Sequence, residues 1–263
     1  MVGTTTSAVT LGERALWELS VRELADGLRA REFTALEVTE AHLARISACQ
    51  PRVNALSAVW ADAALARARR LDRELGEGRA AGPLHGVPFT VKANIDRQGA
   101  ATTHGVAALR DATAAADAPA VASLIRAGAI PLAQSNMPDF AFRWHTESSA
   151  HGVTVNPWDP SVTAGGSSGG GAVACAAGMA PFGLGNDTGG SLRQPAQCCG
   201  IAGLRPTAGR IADAGAAPPT PGLRALTAQG VLARNVGDIT AVFPSLLAAD
   251  RLRRRPGQRS GAA

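Results

Sequence analysis

Lysine occurs once in this chain, at position 92, although Lys and Arg together number 26. Arginine serves wherever else a cation is needed. A guanidinium stays protonated in any protein environment, whereas a buried ammonium can lose its proton and act as a base. Lys92 closes the run Gly86-Val-Pro-Phe-Thr-Val91, whose apolar, β-branched character suits a buried strand that would carry the lysine inside. A solvated strand end or a carboxylate partner is the competing reading of a lone lysine.

Two glycine-serine segments follow. Gly165-Gly-Ser-Ser-Gly-Gly-Gly171 is too rich in glycine for a helix interior, so it serves a backbone that needs positive φ or close approach of its N–H groups to a reacting centre. A phosphate loop would place Lys after the glycines, and Gly171-Ala172-Val173 stands there instead. Gly166 to Gly170 also fits the Gly-x-Ser-x-Gly elbow with Ser168 as nucleophile, but that chemistry needs a histidine further along the chain. His42, His85, His104, His145 and His151 all precede it. A serine site with a non-histidine base remains, which directs attention to Lys92 and to Ser191 in Asp187-Thr-Gly-Gly-Ser-Leu-Arg193. Gly189 and Gly190 before Ser191 let several N–H groups converge on one point, the geometry that stabilises an oxyanion at about 3 kcal/mol per donor. A simple turn capped by Asp187 or Ser191 is the other reading these residues allow.

The elements that must position these residues are partly legible. Ser20 with Glu23, and Thr34 with Glu37, form two capping boxes that open helices. Leu36, Val38, Leu43 and Ile46 give the second helix its apolar stripe, and the Gln50-Pro51 step predicts its end. A third helix is predicted from Ala55 to Leu75. Ala118 to Ala127 predicts a helix stopped by Gly128, with a strand over Ala129 to Ala133, so β and α alternate. Ser168 to Met179 and Asp238 to Ala249 are further predicted helices, and the proline-rich Asp213 to Gly222 predicts a surface loop.

Composition narrows the function classes. Hydrophobic residues make up 46% and charged residues 18%, an ordinary globular balance. The net charge of +5 is concentrated in Arg251, Arg253, Arg254, Arg255 and Arg259; without these five, basic residues number 21 against 21 acidic. A neutral body argues against nucleic-acid binding. Cys49, Cys175, Cys198 and Cys199 show neither CxxC spacing nor a histidine at metal-ligand distance, so buried thiols are expected rather than a metal site or disulfides. No signal-like segment opens the chain. The uncharged run Val162 to Asn186 is interrupted by Gly, Ser and Pro181, unlike a membrane span. These features predict a soluble, cytoplasmic protein.

Ala164-Gly-Gly-Ser-Ser-Gly-Gly-Gly, then Gly183-Leu-Gly-Asn-Asp-Thr-Gly-Gly-Ser-Leu-Arg-Gln-Pro-Ala, then Cys199-Gly-Ile-Ala-Gly-Leu-Arg-Pro-Thr form an ordered series. Together with Gly82-Pro-Leu-His-Gly-Val-Pro-Phe-Thr-Val-Lys-Ala-Asn94, they resemble the amidase signature family from about Ser20 to Asp250. The resemblance implies an α/β fold with a mixed central sheet flanked by helices, a mainly helical segment over 1–80, one domain over 1–250 and a basic disordered tail over 251–263. It implies a Ser-cisSer-Lys triad in which Lys92 is the base, Ser167 the bridging serine and Ser191 the nucleophile, with a cis Gly166-Ser167 peptide. The serines stand 24 residues apart, as the family spacing requires. Thr188, Gly189, Gly190 and Ser191 fall on the oxyanion donors, and Ser168, Asp187 and Arg193 on supporting positions. The implied reaction is hydrolysis of a small carboxamide to carboxylate and ammonia, without metal or organic cofactor. The partners implied are a small amide substrate and a second copy in a homodimer. A glutamine-amidase component of a tRNA-dependent amidotransferase, working with partner subunits, is the alternative. Ala93 stands where many members carry an acidic residue, and members continue well beyond the helix near Asp238. The chain therefore reads as a C-terminally truncated portion of the family fold, with an inactive fragment as a further alternative.

Overall fold

The computed structural model describes residues 10–11, 14–79, 82–213 and 221–253. A two-residue ladder, β1 (Thr10–Leu11) with β2 (Arg14–Ala15), precedes helices α1 (Val21–Ala30) and α2 (Ala35–Val53). Both capping boxes form. The Ser20 hydroxyl accepts from Glu23 N at 3.2 Å, and the Thr34 hydroxyl accepts from Glu37 N at 3.1 Å, each saving an otherwise orphaned helix donor. Pro51 does not end α2, which runs to Val53. The closing bond, Asn54 N to Gln50 O at 2.9 Å, needs only the carbonyl of Gln50, and Pro51 in the last turn takes away a single donor.

The predicted third helix starts later than the sequence suggests. Its first residues form an edge strand, β3 (Leu56–Val59), and helix α3 occupies Ala61–Gly76. Gln50 holds the chain at its exit from α2, because its Oε1 accepts from Ala55 N and Leu56 N at 3.1 and 3.0 Å while its Nε2 donates to Leu56 O at 2.8 Å. The chain thus leaves α2 extended and satisfies its backbone on a neighbouring strand rather than on itself.

Next come β4 (Pro88–Lys92), α4 (Pro119–Arg126), β5 (Ile130–Ser135) and the small ladder of β6 (Glu147–Ser148) with β7 (Gly152–Val153). Then follow α5 (Gly169–Ala176), β8 (Phe182–Asp187), α6 (Arg193–Cys199), β9 (Ala202–Leu204), α7 (Pro221–Leu226), β10 (Ala228–Ala233) and α8 (Val236–Arg253). Most of the predicted loop, residues 214–220, lies outside the described residues, and its end enters α7. The predicted basic tail begins inside α8, and residues 254–263 lie outside the described residues.

Six strands make one mixed sheet in the order β3-β5-β4-β8-β10-β9. Its centre, β5-β4-β8, is parallel, and β3, β10 and β9 pair antiparallel. All residues of β4, β5 and β8 are buried, as parallel strands covered on both faces require. Phe89 and Phe182, paired across β4 and β8, stack with ring centroids 5.4 Å apart. Helix α5 lies against β4, β8 and β10, while α3 and α4 lie against β5 and α8 against β9 and β10. The carboxyl ends of the parallel strands β4 and β8 carry Lys92 and Asp187 to the same end of the sheet. No helix among the described residues is long and apolar enough to cross a membrane.

Candidate active site

Lys92 ends β4 and is fully buried. Its Nζ donates to Ser167 Oγ at 2.8 Å and to Asn186 Oδ1 at 2.9 Å. Burial drives its pKa down from 10.5 to about 7, against an opposing pull from the Asp187 carboxylate. Near neutrality the amine is therefore available without its proton.

Asn186 and Asn94 orient the amine. Asn186 Nδ2 donates to Asn94 Oδ1 at 3.0 Å and Asn94 Nδ2 donates to Asn186 Oδ1 at 3.3 Å. This exchange fixes both amides, so that the oxygen of Asn186 faces Nζ. Nothing in the local sequence assigns either residue a role. Asn94, in the turn after β4, and Asn186, near the end of β8, are ordinary asparagines until the parallel register of β4 on β8, with Val91 opposite Leu184, sets them side by side.

Ser167 sits in the glycine turn that leads into α5. The Gly166-Ser167 peptide is cis, as the resemblance implies. Thr146 clamps the turn from outside, donating its hydroxyl to Gly165 O at 2.8 Å and accepting from Gly169 N at 3.1 Å. Ser168 follows as the first cap of α5; its N–H donates to Ser191 O at 3.1 Å and its hydroxyl donates to Asn186 O at 3.4 Å. The second turn is thereby tied to the first.

Asp187 organises that second turn. Its carboxylate accepts from Gly190 N at 2.7 Å and Leu192 N at 3.0 Å, and from Arg193 Nε and Nη2 at 3.0 and 2.9 Å. Burial alone would lift its pKa, but the Arg193 side chain and the Leu192, Gly190 and Arg193 N–H groups outweigh that and hold it at about 2. Gly190 has φ 115°, a left-handed conformation that a side chain would strain. One expected oxyanion donor, the Gly190 N–H, is thus already bound to Asp187. Among the described residues no protein group accepts from the N–H of Thr188, Gly189 or Ser191. Ser191 is 8% exposed whereas Lys92 and Ser167 are fully enclosed, so of the three it is the one an incoming molecule can reach.

The structure therefore brings Lys92, Ser167, Ser168 and Asp187 together around the Ser191 turn, with Arg193 holding the turn through Asp187. Among the described residues no group of His, Cys, Asp and Glu side chains is assembled that could hold a metal ion.

The family model for Amidase matches residues 37–258, and the chain belongs to this family. An indoleacetamide hydrolase of Bradyrhizobium diazoefficiens is 44% identical over 85% of this chain and 43% of its own length. A glutamyl-tRNA(Gln) amidotransferase subunit of Chloroflexus aurantiacus is 46% identical over 76% of this chain and 41% of its own length. Among solved structures, native peptide amidase from Stenotrophomonas maltophilia matches with a TM-score of 0.83 at 35% identity, covering 92% of this chain and 51% of the other. Fatty acid amide hydrolase matches with a TM-score of 0.85 at 27% identity, covering 92% of this chain and 43% of the other. The chain spans less than half the length of the curated relatives it matches.

Proposed function

We propose that this chain hydrolyses a carboxamide to a carboxylate and ammonia through an acyl-enzyme on Ser191. The observation that carries the reading is the fully buried lysine, with a pKa lowered to about 7, whose Nζ stands 2.8 Å from Ser167 Oγ. Neutral Lys92 takes the proton of Ser167 as Ser167 takes that of Ser191, and Ser191 Oγ bonds to the amide carbon. The carbonyl electrons move onto oxygen, where the N–H groups of Thr188, Gly189 and Ser191 receive them, with Gly190 held in place by Asp187. Collapse breaks the C–N bond as the relay returns its proton to the departing nitrogen. A water then gives its proton to the same relay and attacks the acyl carbon, and the relay returns that proton to Ser191 Oγ as the acyl carbon–Oγ bond breaks and the carboxylate leaves. Similarity to an indoleacetamide hydrolase and a peptide amidase supports linear amides as the substrate class.

A fluorophosphonate probe tests this directly. The folded chain is expected to be labelled at Ser191, with labelling abolished in S191A and strongly slowed in K92M and S167A. A folded sample that takes no label contradicts the proposal.

The similarity to the glutamyl-tRNA(Gln) amidotransferase relative favours a second reading, ammonia release from glutamine within a complex. Release of ammonia from glutamine only upon addition of partner subunits would select it over free amide hydrolysis.

A further inference from the structure

Gln194, in the first turn of α6, touches both glycine turns. Its backbone N–H donates to Gly190 O at 2.7 Å, and its side-chain Oε1 accepts from Gly166 N at 2.8 Å. One residue therefore links the turn that ends in Ser191 to the peptide that carries Ser167. The far end of the amide is also fixed, because Nε2 donates to Cys198 Sγ at 3.3 Å one helical turn along. That contact decides which face of the amide meets Gly166, since only the oxygen accepts. The approach is close: a Cβ at Gly165 would stand 2.7 Å from Oε1, so the turn has shaped itself around this side chain.

We propose that Gln194 is a positioning residue for the serine relay: it sets the spacing between the Ser167 and Ser191 turns through its backbone and side chain together. This rests on the serine-lysine reading proposed for the site. No other group among the described residues accepts from Gly166 N–H, so removing Oε1 leaves a part-buried donor unpaired, and the turn shifts to find a partner. Ser167 is the next residue. A displacement of about 1 Å between reacting groups costs on the order of a hundredfold in rate, whereas the probe's non-covalent association with the open side of the Ser191 turn is left alone. The expected signature is thus a slower chemical step with the same apparent binding.

The test uses the full chain, the fluorophosphonate probe and three variants. Gln194→Leu and Gln194→Asn both lose contact with Gly166, the first by chemistry and the second by length. Gln194→Glu keeps an acceptor at the same reach. Labelling time courses at several probe concentrations separate the maximal rate from the half-saturating concentration, and the final labelled fraction counts competent sites. Gln194→Leu and Gln194→Asn are expected to lower the maximal rate by about 10- to 100-fold, with half-saturation unchanged and labelling eventually complete. Gln194→Glu is expected to recover the rate to within about threefold of the parent, the cost of exchanging a neutral acceptor for a charged one. The role is overturned if both shortened or apolar variants label at the parental rate, if their loss appears only as a smaller labelled fraction, or if Gln194→Glu is as slow as Gln194→Leu. An unlabelled parent chain overturns the serine-lysine reading and this role with it, which separates the two failures.

Discussion

The burial of Lys92 costs stability while its amine is protonated. Its pKa is lowered to about 7 in the fold, so the unfolded chain binds the extra proton between pH 7 and about 10.4, the ordinary lysine value. Stability therefore rises with pH across that window as the unfolded state's advantage disappears. Replacing Lys92 with Met should flatten the slope of unfolding free energy against pH between about 7 and 10, measured by urea denaturation. In the parent chain, the rate of Ser191 labelling should rise with pH to a half-maximum near 7. Asp187 acts with the same sign in a more acidic window: its pKa of about 2 lies below the ordinary carboxylate, so its contribution is present above about pH 4 and is lost as pH falls toward 2. Asp187→Asn should remove that acid-side loss and lower stability at neutral pH by about 3 kcal/mol, because donors that met a carboxylate now meet an amide. A denaturation midpoint unchanged at pH 7 would contradict this account of the turn.

At the scale of elements, the site depends on how strands and helices end. The first turn of α2 is capped twice, once by Thr34 and again by Asp72 of α3, whose carboxylate accepts from Ala35 N at 2.7 Å and Leu36 N at 3.0 Å. Asp72→Ala should cost about 1–2 kcal/mol of stability in urea titrations, since two amino-terminal donors lose a charged partner. The Phe89–Phe182 stack holds β4 to β8 in the strands that carry the catalytic candidates. Phe182→Ala should cost about 3–5 kcal/mol and slow Ser191 labelling as well, because the cavity lies in the layer that sets the register. Local signals foretold the capping boxes, the lysine strand and the α4–β5 alternation. They misplaced the start of the third helix, since Leu56–Val59 has nothing in its own sequence that outweighs a helical, alanine-rich context; pairing with β5 decides it.

The whole molecule is closed by contacts between its distant ends. Asp238, buried at the start of α8, accepts from Val21 N at 2.7 Å at the start of α1, and Arg234 donates to Trp17 O at 2.8 Å and Leu19 O at 2.5 Å. Asp238→Ala should cost about 2 kcal/mol and remove hydrogen-exchange protection selectively from α1, the helix it caps. Residue type and short-range pattern singled out one lysine behind a buried strand, two glycine turns that carry serines, and the helix starts that frame them, while the spacing of the serines took its meaning from the family resemblance. Such properties are local, and they survive without knowledge of the fold. It took the folded chain to show that Asn94 and Asn186 aim the lysine, that Asp187 occupies the Gly190 N–H, and that Gln194 joins the two turns. Lys92 and Asn186 are 94 residues apart, and a hydrogen bond over that separation exists only once the sheet has set its register.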